Sequence, residues 1–105
     1  MGWPSLNEAR KSLARILDAE RRKGTKVIKI IHGWGSTGTG GKLRVGLRTS
    51  LQQMLREGKI KALVYGENFS IHNGIIKILG DYPVLTSDPD FNRGNSGITI
   101  IAITR

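Results

Sequence analysis

The stretch Ile30-Ile31-His32-Gly33-Trp34-Gly35-Ser36-Thr37-Gly38-Thr39-Gly40-Gly41-Lys42-Leu43-Arg44 decides how this chain is read. An apolar strand runs into a histidine, then into a loop with five glycines in nine residues (33–41), then into a basic helix start. Glycines let successive backbone N–H groups converge on one point, and a helix N-terminus aims unpaired N–H groups and a partial positive charge at the same place. An anion is the natural guest of such a loop. In a chain with 17 Lys and Arg against 8 Asp and Glu, a nucleic-acid phosphate is the expected one.

The charge is unevenly spread. Residues 1–63 hold 14 Lys and Arg and 4 Asp and Glu, whereas residues 64–105 hold 3 and 4. The basic half is the half that carries the glycine loop, which favours a polyanionic partner over a merely solvated surface. The 105 residues suffice for one domain with a single core. Without cysteine there is no disulfide framework, thiolate zinc site or thiol nucleophile, and a reducing cytoplasmic setting is expected. No uncharged run reaches the length of a membrane span, and Met1-Gly2-Trp3-Pro4-Ser5 lacks the regions of a signal peptide. The expected partner is nucleic acid and not a membrane; a monomer is assumed, and no cofactor is expected.

Outward from the loop, Ser5-Leu6-Asn7-Glu8 reads as a capping box opening a helix over about 5–23, with Gly24 as its stop. Leu6, Ala9, Leu13, Ile16 and Leu17 give it one apolar face. Lys26 to His32 is a β-branched strand, nearly continuous in apolar residues as a buried parallel strand is. A second helix is expected over about 41–57, with Leu43, Leu47, Leu51, Met54 and Leu55 on one face and Gly58 as its stop. Further strands are expected at Ile60–Tyr65 and Ile98–Ile103. The order α-β-α-β-β predicts an α/β fold whose sheet is partly parallel, with right-handed crossovers. Between the last two strands, Ile75-Ile76-Lys77-Ile78-Leu79 is too short for periodicity to separate helix from strand.

Two nucleotide-binding readings of the loop fail. Gly33-x-Gly35-x-x-Gly38 formally matches a dinucleotide fingerprint, but the chain is short of strands and Glu57 sits at a helix end rather than after a strand. A P-loop fails because Ser36 stands where the first glycine belongs and Leu43 replaces the hydroxyl residue.

What the loop resembles is the Smr (small MutS-related) family. That family carries a His-Gly-x-Gly-x-Gly motif closing a strand and a Leu-Arg opening the next helix; here they are matched by His32-Gly33-x-Gly35 and Lys42-Leu43-Arg44. Asn7-Glu8-Ala9 is similar to the Glu-Ala pair of the family's first helix, and Gly94-Asn95-Ser96-Gly97-Ile98-Thr99 to its second glycine loop. The similarity covers about residues 5–66 and 92–104. It implies a two-layer βαβαββ sandwich with a mixed sheet and two helices, resembling the C-terminal domain of translation initiation factor 3. In this chain that sandwich reads as αβαββ plus an inserted segment. It also implies nucleic-acid binding, a link to DNA repair and, in several members, nicking or endonuclease activity on DNA or RNA. By position, His32, Gly33, Gly35, Gly38, Gly40, Lys42 and Arg44 are the functional residues it implies.

Three departures bear on that. The family's opening strand carries Leu-Asp-x-His-Gly; counted back from Glu8-Ala9, its histidine falls at Gly2 and its aspartate before Met1. An acid and a histidine tied to cleavage in the family are thus missing. The glycine loop is about four residues longer, with Ser36-Thr37-Gly38-Thr39 as the extra. About 20 residues are inserted around 70–92.

The residues themselves allow metal-independent phosphodiester chemistry. His32 is the candidate acid or base, since histidine titrates near neutrality, and Lys42 and Arg44 are the candidates to hold the phosphate in the catalytic set. Gly33, Gly35, Gly38, Gly40 and Gly41 offer backbone donors, and Thr37 and Thr39 offer hydroxyls. Trp34 offers a stacking surface for an unpaired base. Arg48, one turn on from Arg44, and Gly94 and Asn95 of the second loop complete the candidate nucleic-acid contacts. No carboxylate lies between Glu20 and Glu57, so a metal site is not expected. Each residue also has a plainer reading. His32 fits a histidine bonded to loop backbone, Gly94 and Gly97 a tight turn, and Trp34 a cover for the sheet edge. His72 has no motif around it. Asp81, Asp88 and Asp90 read as a solvated acidic loop rather than a metal cluster. Binding without cleavage is therefore the favoured function, with nicking as its extension and a nucleotide or small-anion site as the lesser alternative.

Overall fold

The computed structural model describes residues 5–33, 39–70 and 75–103, with only the backbone at 39, 40 and 76. Its elements in chain order are α1 (Leu6–Arg22), β1 (Val27–Ile31), α2 (Thr39–Arg56), β2 (Ile60–Tyr65), α3 (Ile76–Asp81) and β3 (Ile98–Ile103). Single 3-10 turns occupy Gly66–Asn68 and Pro83–Ser87.

α1 begins where its cap dictates. Ser5 Oγ accepts the Glu8 N–H at 3.1 Å, and the Glu8 carboxylate accepts the Ser5 N–H at 2.8 Å. These reciprocal bonds satisfy two donors that a helix start leaves open. Leu13 and Leu17 are buried beneath it. α2 buries Leu43, Leu47 and Leu51. α1 and α2 run side by side in the same direction, with Leu6 over Gly46, Arg10 bonded to Ser50 and Arg21 bonded to the Lys59 carbonyl. A Cβ on Gly46 would lie 2.5 Å from the Leu6 methyls, so glycine is what lets the helix starts meet.

The sheet order is β1-β3-β2, and both pairings are antiparallel. This corrects the mixed sheet expected from the element order. β1 and β2 do point the same way, as a β-α-β crossover requires, but β3 enters between them and no parallel pair forms. The central place of β3 explains its composition: all six residues are buried.

Their side chains alternate between two cores. Ile101 and Ile103 pack with Leu13, Leu17, Leu47, Leu51 and Ile60 beneath the two helices. Ile98, Ile100 and Ala102 pack on the other face with Val64, Phe69, Ile78, Tyr82 and Leu85. The second core corrects the two-layer expectation. The described residues of 66–70 and 75–91 form a third layer that closes the face of the sheet opposite α1 and α2. Phe69 and Phe91 tie it together edge to face, with ring centroids 5.2 Å apart, and Asn92 N–H donates to the Phe69 carbonyl at 2.8 Å. The undecided run at 75–79 forms the start of α3, and its Ile78 reaches this core.

Candidate nucleic-acid interface

β1 delivers His32 to the end of the sheet, where the two glycine segments meet. The N–H groups of His32 and Gly33 both donate to the Gly97 carbonyl at 3.0 Å. Gly33 turns with φ +83°, a conformation open to glycine at little cost. Gly97 is held close from the other side: a Cβ there would lie 3.0 Å from Asn95 Oδ1 and 3.3 Å from the Gly33 carbonyl carbon. Asn95 clamps the turn, accepting the Gly97 N–H at 2.8 Å and donating to Asp90 at 2.9 Å. Asn95 thus has an internal task. Gly94 sits exposed in the turn with φ +64°.

His32 is 3% exposed. Its Nδ1 lies 2.9 Å from the Gly33 carbonyl, which only accepts, so Nδ1 carries the proton. Nε2 then accepts from the Thr99 hydroxyl at 2.9 Å. That hydroxyl in turn accepts Arg48 Nε at 3.2 Å. Burial holds His32 below its ordinary value of 6.5, and the charges of Arg48 and Arg44 push the same way; the Gly33 bond and Glu67 oppose them. His32 is a neutral, fully engaged side chain at neutral pH.

Arg48 has internal partners that the sequence did not suggest. Instead of facing outward, its guanidinium is consumed inside the protein. It grips Glu67 through two bonds of 2.7 and 2.8 Å, donates to the Ser96 and Ile98 carbonyls at 3.3 and 3.1 Å, and stacks 4.1 Å from the Tyr65 ring centroid. Tyr65 is fixed in turn by Gln52, which donates to its hydroxyl at 2.8 Å. The Arg48 bonds hold the Glu67 carboxyl below its usual value. The chain Glu67–Arg48–Thr99–His32–Gly33 thus ties the end of β2, the middle of α2, β3 and the glycine motif into one unit. Thr99 and Glu67 escaped the sequence reading. The signal for Thr99 is its isolation: one hydroxyl in an otherwise aliphatic strand, Ile-Thr-Ile-Ile-Ala-Ile.

Lys42 and Arg44 are placed differently. They line a groove of about 910 Å³ between the starts of α1 and α2, together with Arg10, Gly41 and Thr49. Neither makes a salt bridge or a side-chain hydrogen bond with a described residue. Arg44 nevertheless lies near enough to act on the charges of His32 and Glu67. α2 begins at Thr39, so Thr39 and Gly40 belong to its first turn rather than to the loop, and that turn carries no acid. Trp34, Gly35, Thr37, Gly38 and His72 lie outside the described residues.

The acidic loop is not solvated as expected. Lys29 is held between Asp90 at 2.6 Å and Asp88 at 3.1 Å. Asp81 pairs loosely with Lys77, at 4.0 Å. Among the described residues no group of three His, Cys, Asp or Glu side chains converges as a metal ion requires. No helix among them is long and apolar enough to cross a membrane.

A family model described as the Smr domain matches residues 4–80. The chain belongs to the Smr domain family. That match takes in α1, the His32 motif and α2; the second glycine segment at 94–97 lies beyond it. The fold of this Smr domain is similar to the crystal structure of the Smr domain of Thermus thermophilus MutS2, with a TM-score of 0.59 over 96% of this chain and 89% of that chain. The two are 19% identical, a level at which the likeness concerns the fold alone. No curated protein matches the chain.

Proposed function

We propose that this Smr domain binds nucleic acid by gripping backbone phosphate in the groove at the start of α2. The observation that carries this is the division of labour among its cations. Arg48 and Lys29 are neutralised inside the fold, whereas Lys42 and Arg44 stand unpaired among described residues, beside Arg10, at a helix start without an acid. Phosphate supplies the missing acceptor, and the first-turn N–H groups of α2 add neutral donors. Family membership supports the same reading.

Binding is favoured over cleavage as the function of this chain. A general base needs an accessible nitrogen, and both ring nitrogens of His32 are engaged in a buried site. His32 acts as a positioning residue that fixes Gly33 against Gly97, and nicking would need an acid or base from elsewhere. The test is fluorescence anisotropy with labelled single-stranded DNA, duplex DNA and RNA across a salt series, with nicking of supercoiled plasmid followed in parallel. The wild type is expected to bind with a steep salt dependence and the double variant Lys42→Ala/Arg44→Ala to bind weakly. Equal binding by the two proteins would sink the proposal, and plasmid nicking abolished by His32→Gln in a folded protein would restore the catalytic reading.

A further inference from the structure

α1 and α2 keep a constant offset along their shared length. Leu6 lies over Gly46 and Arg10 bonds Ser50, so a residue of α1 stands level with the residue 40 places on in α2. Arg21, bonded to the Lys59 carbonyl, keeps nearly the same step. By that register Arg15 is level with Leu55, beside Arg56. At about 1.5 Å of rise per residue, the Arg10–Ser50 level lies about 12 Å along α2 from Lys42, and the Arg15–Arg56 level about 21 Å.

Every acid of the two helices already has a partner. Glu8 closes the α1 cap, Asp18 pairs with Arg22 at 2.8 Å, and Glu20 pairs with Lys23 at 3.2 Å. α2 holds no acid, and Glu57 just beyond it pairs with Lys59 at 3.2 Å. Arg10, Lys11, Arg15 and Arg56 are exposed and form no ion pair with a described residue. The three arginines are nevertheless held in place, each by a neutral group. Arg10 donates to Ser50 at 3.0 Å, Arg15 to Ser12 at 3.3 Å and Arg56 to Gln53 at 2.7 Å. A neutral acceptor orients a guanidinium without cancelling its charge. Neither helix carries an aromatic residue, so this face offers no platform on which bases could stack.

We propose, on the reading of Lys42 and Arg44 as a phosphate grip, that the same nucleic-acid backbone continues along the exposed face of the two helices, past Arg10, to Arg15 and Arg56. Cations then stand at three levels about 10 Å apart. One strand of a duplex advances about 3.4 Å per nucleotide, so each level meets roughly every third phosphate. Arg22 and Lys23, though close in sequence, stay outside this track because Asp18 and Glu20 hold them. Contacts of this kind fix the backbone and carry no sequence preference of their own.

The test is fluorescence anisotropy of the whole chain with a labelled duplex of mixed sequence, longer than the track, across a salt series. Arg15→Gln/Arg56→Gln loses only bonds within its own helices, so its melting temperature should match that of the wild type. Its slope of log affinity against log salt should fall by about 1.5, as each phosphate contact contributes about 0.7–0.9. Either single variant should lower the slope by about half as much, and carries the test should the double variant fold poorly. Removing two charges from paired cations instead, in Arg22→Gln/Lys23→Gln, should leave the slope at the wild-type value. An unchanged slope in Arg15→Gln/Arg56→Gln overturns the proposal, as does an equal fall in Arg22→Gln/Lys23→Gln. If Lys42→Ala/Arg44→Ala alone weakens binding, the helix track falls and the groove stands. If Arg15→Gln/Arg56→Gln alone weakens it, the groove falls and the helix face stands as the interface. A wild type that binds no duplex overturns both.

Discussion

The Thr99 hydroxyl stands between His32 Nε2, 2.9 Å away, and Arg48 Nε, 3.2 Å away, donating to the first and accepting from the second. One oxygen therefore satisfies two buried nitrogens. Thr99→Val keeps the shape and removes both bonds, which leaves an imidazole acceptor and a guanidinium donor without partners. Each of the two orphaned groups costs about 1–3 kcal/mol, so a loss of roughly 2–6 kcal/mol is expected in urea denaturation. Thr99→Ser keeps the oxygen and should lose far less. Equal stability of the valine variant and the wild type would show that these bonds do not hold the site.

The same burial makes the fold sensitive to mild acid. His32 binds its proton less readily in the folded chain than its ordinary value of 6.5 implies. Below that pH the unfolded chain takes up a proton that the folded chain refuses, so stability falls as pH drops from about 6.5 toward the folded-state value. Above it the two states carry the same charge and the contribution vanishes. The Asp90 and Glu67 carboxyls, held down by Lys29 and Arg48 respectively, add a separate loss at lower pH. Melting temperatures measured from pH 8 to pH 5 should decline through the histidine window in the wild type. In His32→Gln that decline should flatten, though the variant is less stable throughout. A parallel slope in both proteins would assign the sensitivity elsewhere.

Much of this was legible from local chemistry. Ser5 and Glu8 announce α1, and the strands expected at 60–65 and 98–103 coincide with β2 and β3. The strand arrangement was not, because an apolar run marks a buried strand without naming its neighbour. β3 is aliphatic but for Thr99 because two layers cover it, and the second layer comes from the described residues of 66–70 and 75–91, whose turns and short helix carry no strong period. The internal partners of Arg48 were hidden for a related reason. Spacing places it one turn beyond Arg44, but whether a guanidinium faces solvent depends on Glu67, 19 residues later, and on carbonyls of β3.

Gly66 offers a sharp test of the third layer. It is buried at the turn out of β2, and a Cβ there would run into the Asn95 carbonyl and the Ile98 side chain. Neither neighbour can retreat freely: Asn95 clamps the second glycine segment and Ile98 begins the central strand. Gly66→Ala is therefore expected to cost about 3 kcal/mol or more, at the upper end of what overpacking does. By contrast, Gly80→Ala in α3, where a Cβ meets nothing within 4 Å, should be neutral or slightly stabilising. Comparable denaturation midpoints for the two variants would contradict the close packing of Gly66.

Arg44 and Arg48 of α2 should separate under one conservative change. Arg44→Lys keeps a positive charge in the groove, and an ammonium serves a phosphate as a point charge. Stability should hold, and nucleic-acid affinity should fall less than in Arg44→Ala. The slope of log affinity against log salt should stay near the wild-type value, since each phosphate contact contributes about 0.7–0.9 to it. Arg48→Lys is a different event. An ammonium cannot make the paired bonds to Glu67 while also reaching Thr99, Ser96 and Ile98, so several partners lose a donor in a half-buried site. A loss of about 2 kcal/mol or more is expected, with the salt slope of the remaining folded protein unchanged if Arg48 serves the fold alone, as its internal bonds imply. A reduced slope in Arg48→Lys at full stability would reverse the assignment, making Arg48 a phosphate contact and its bonds to Glu67 a state that nucleic acid displaces.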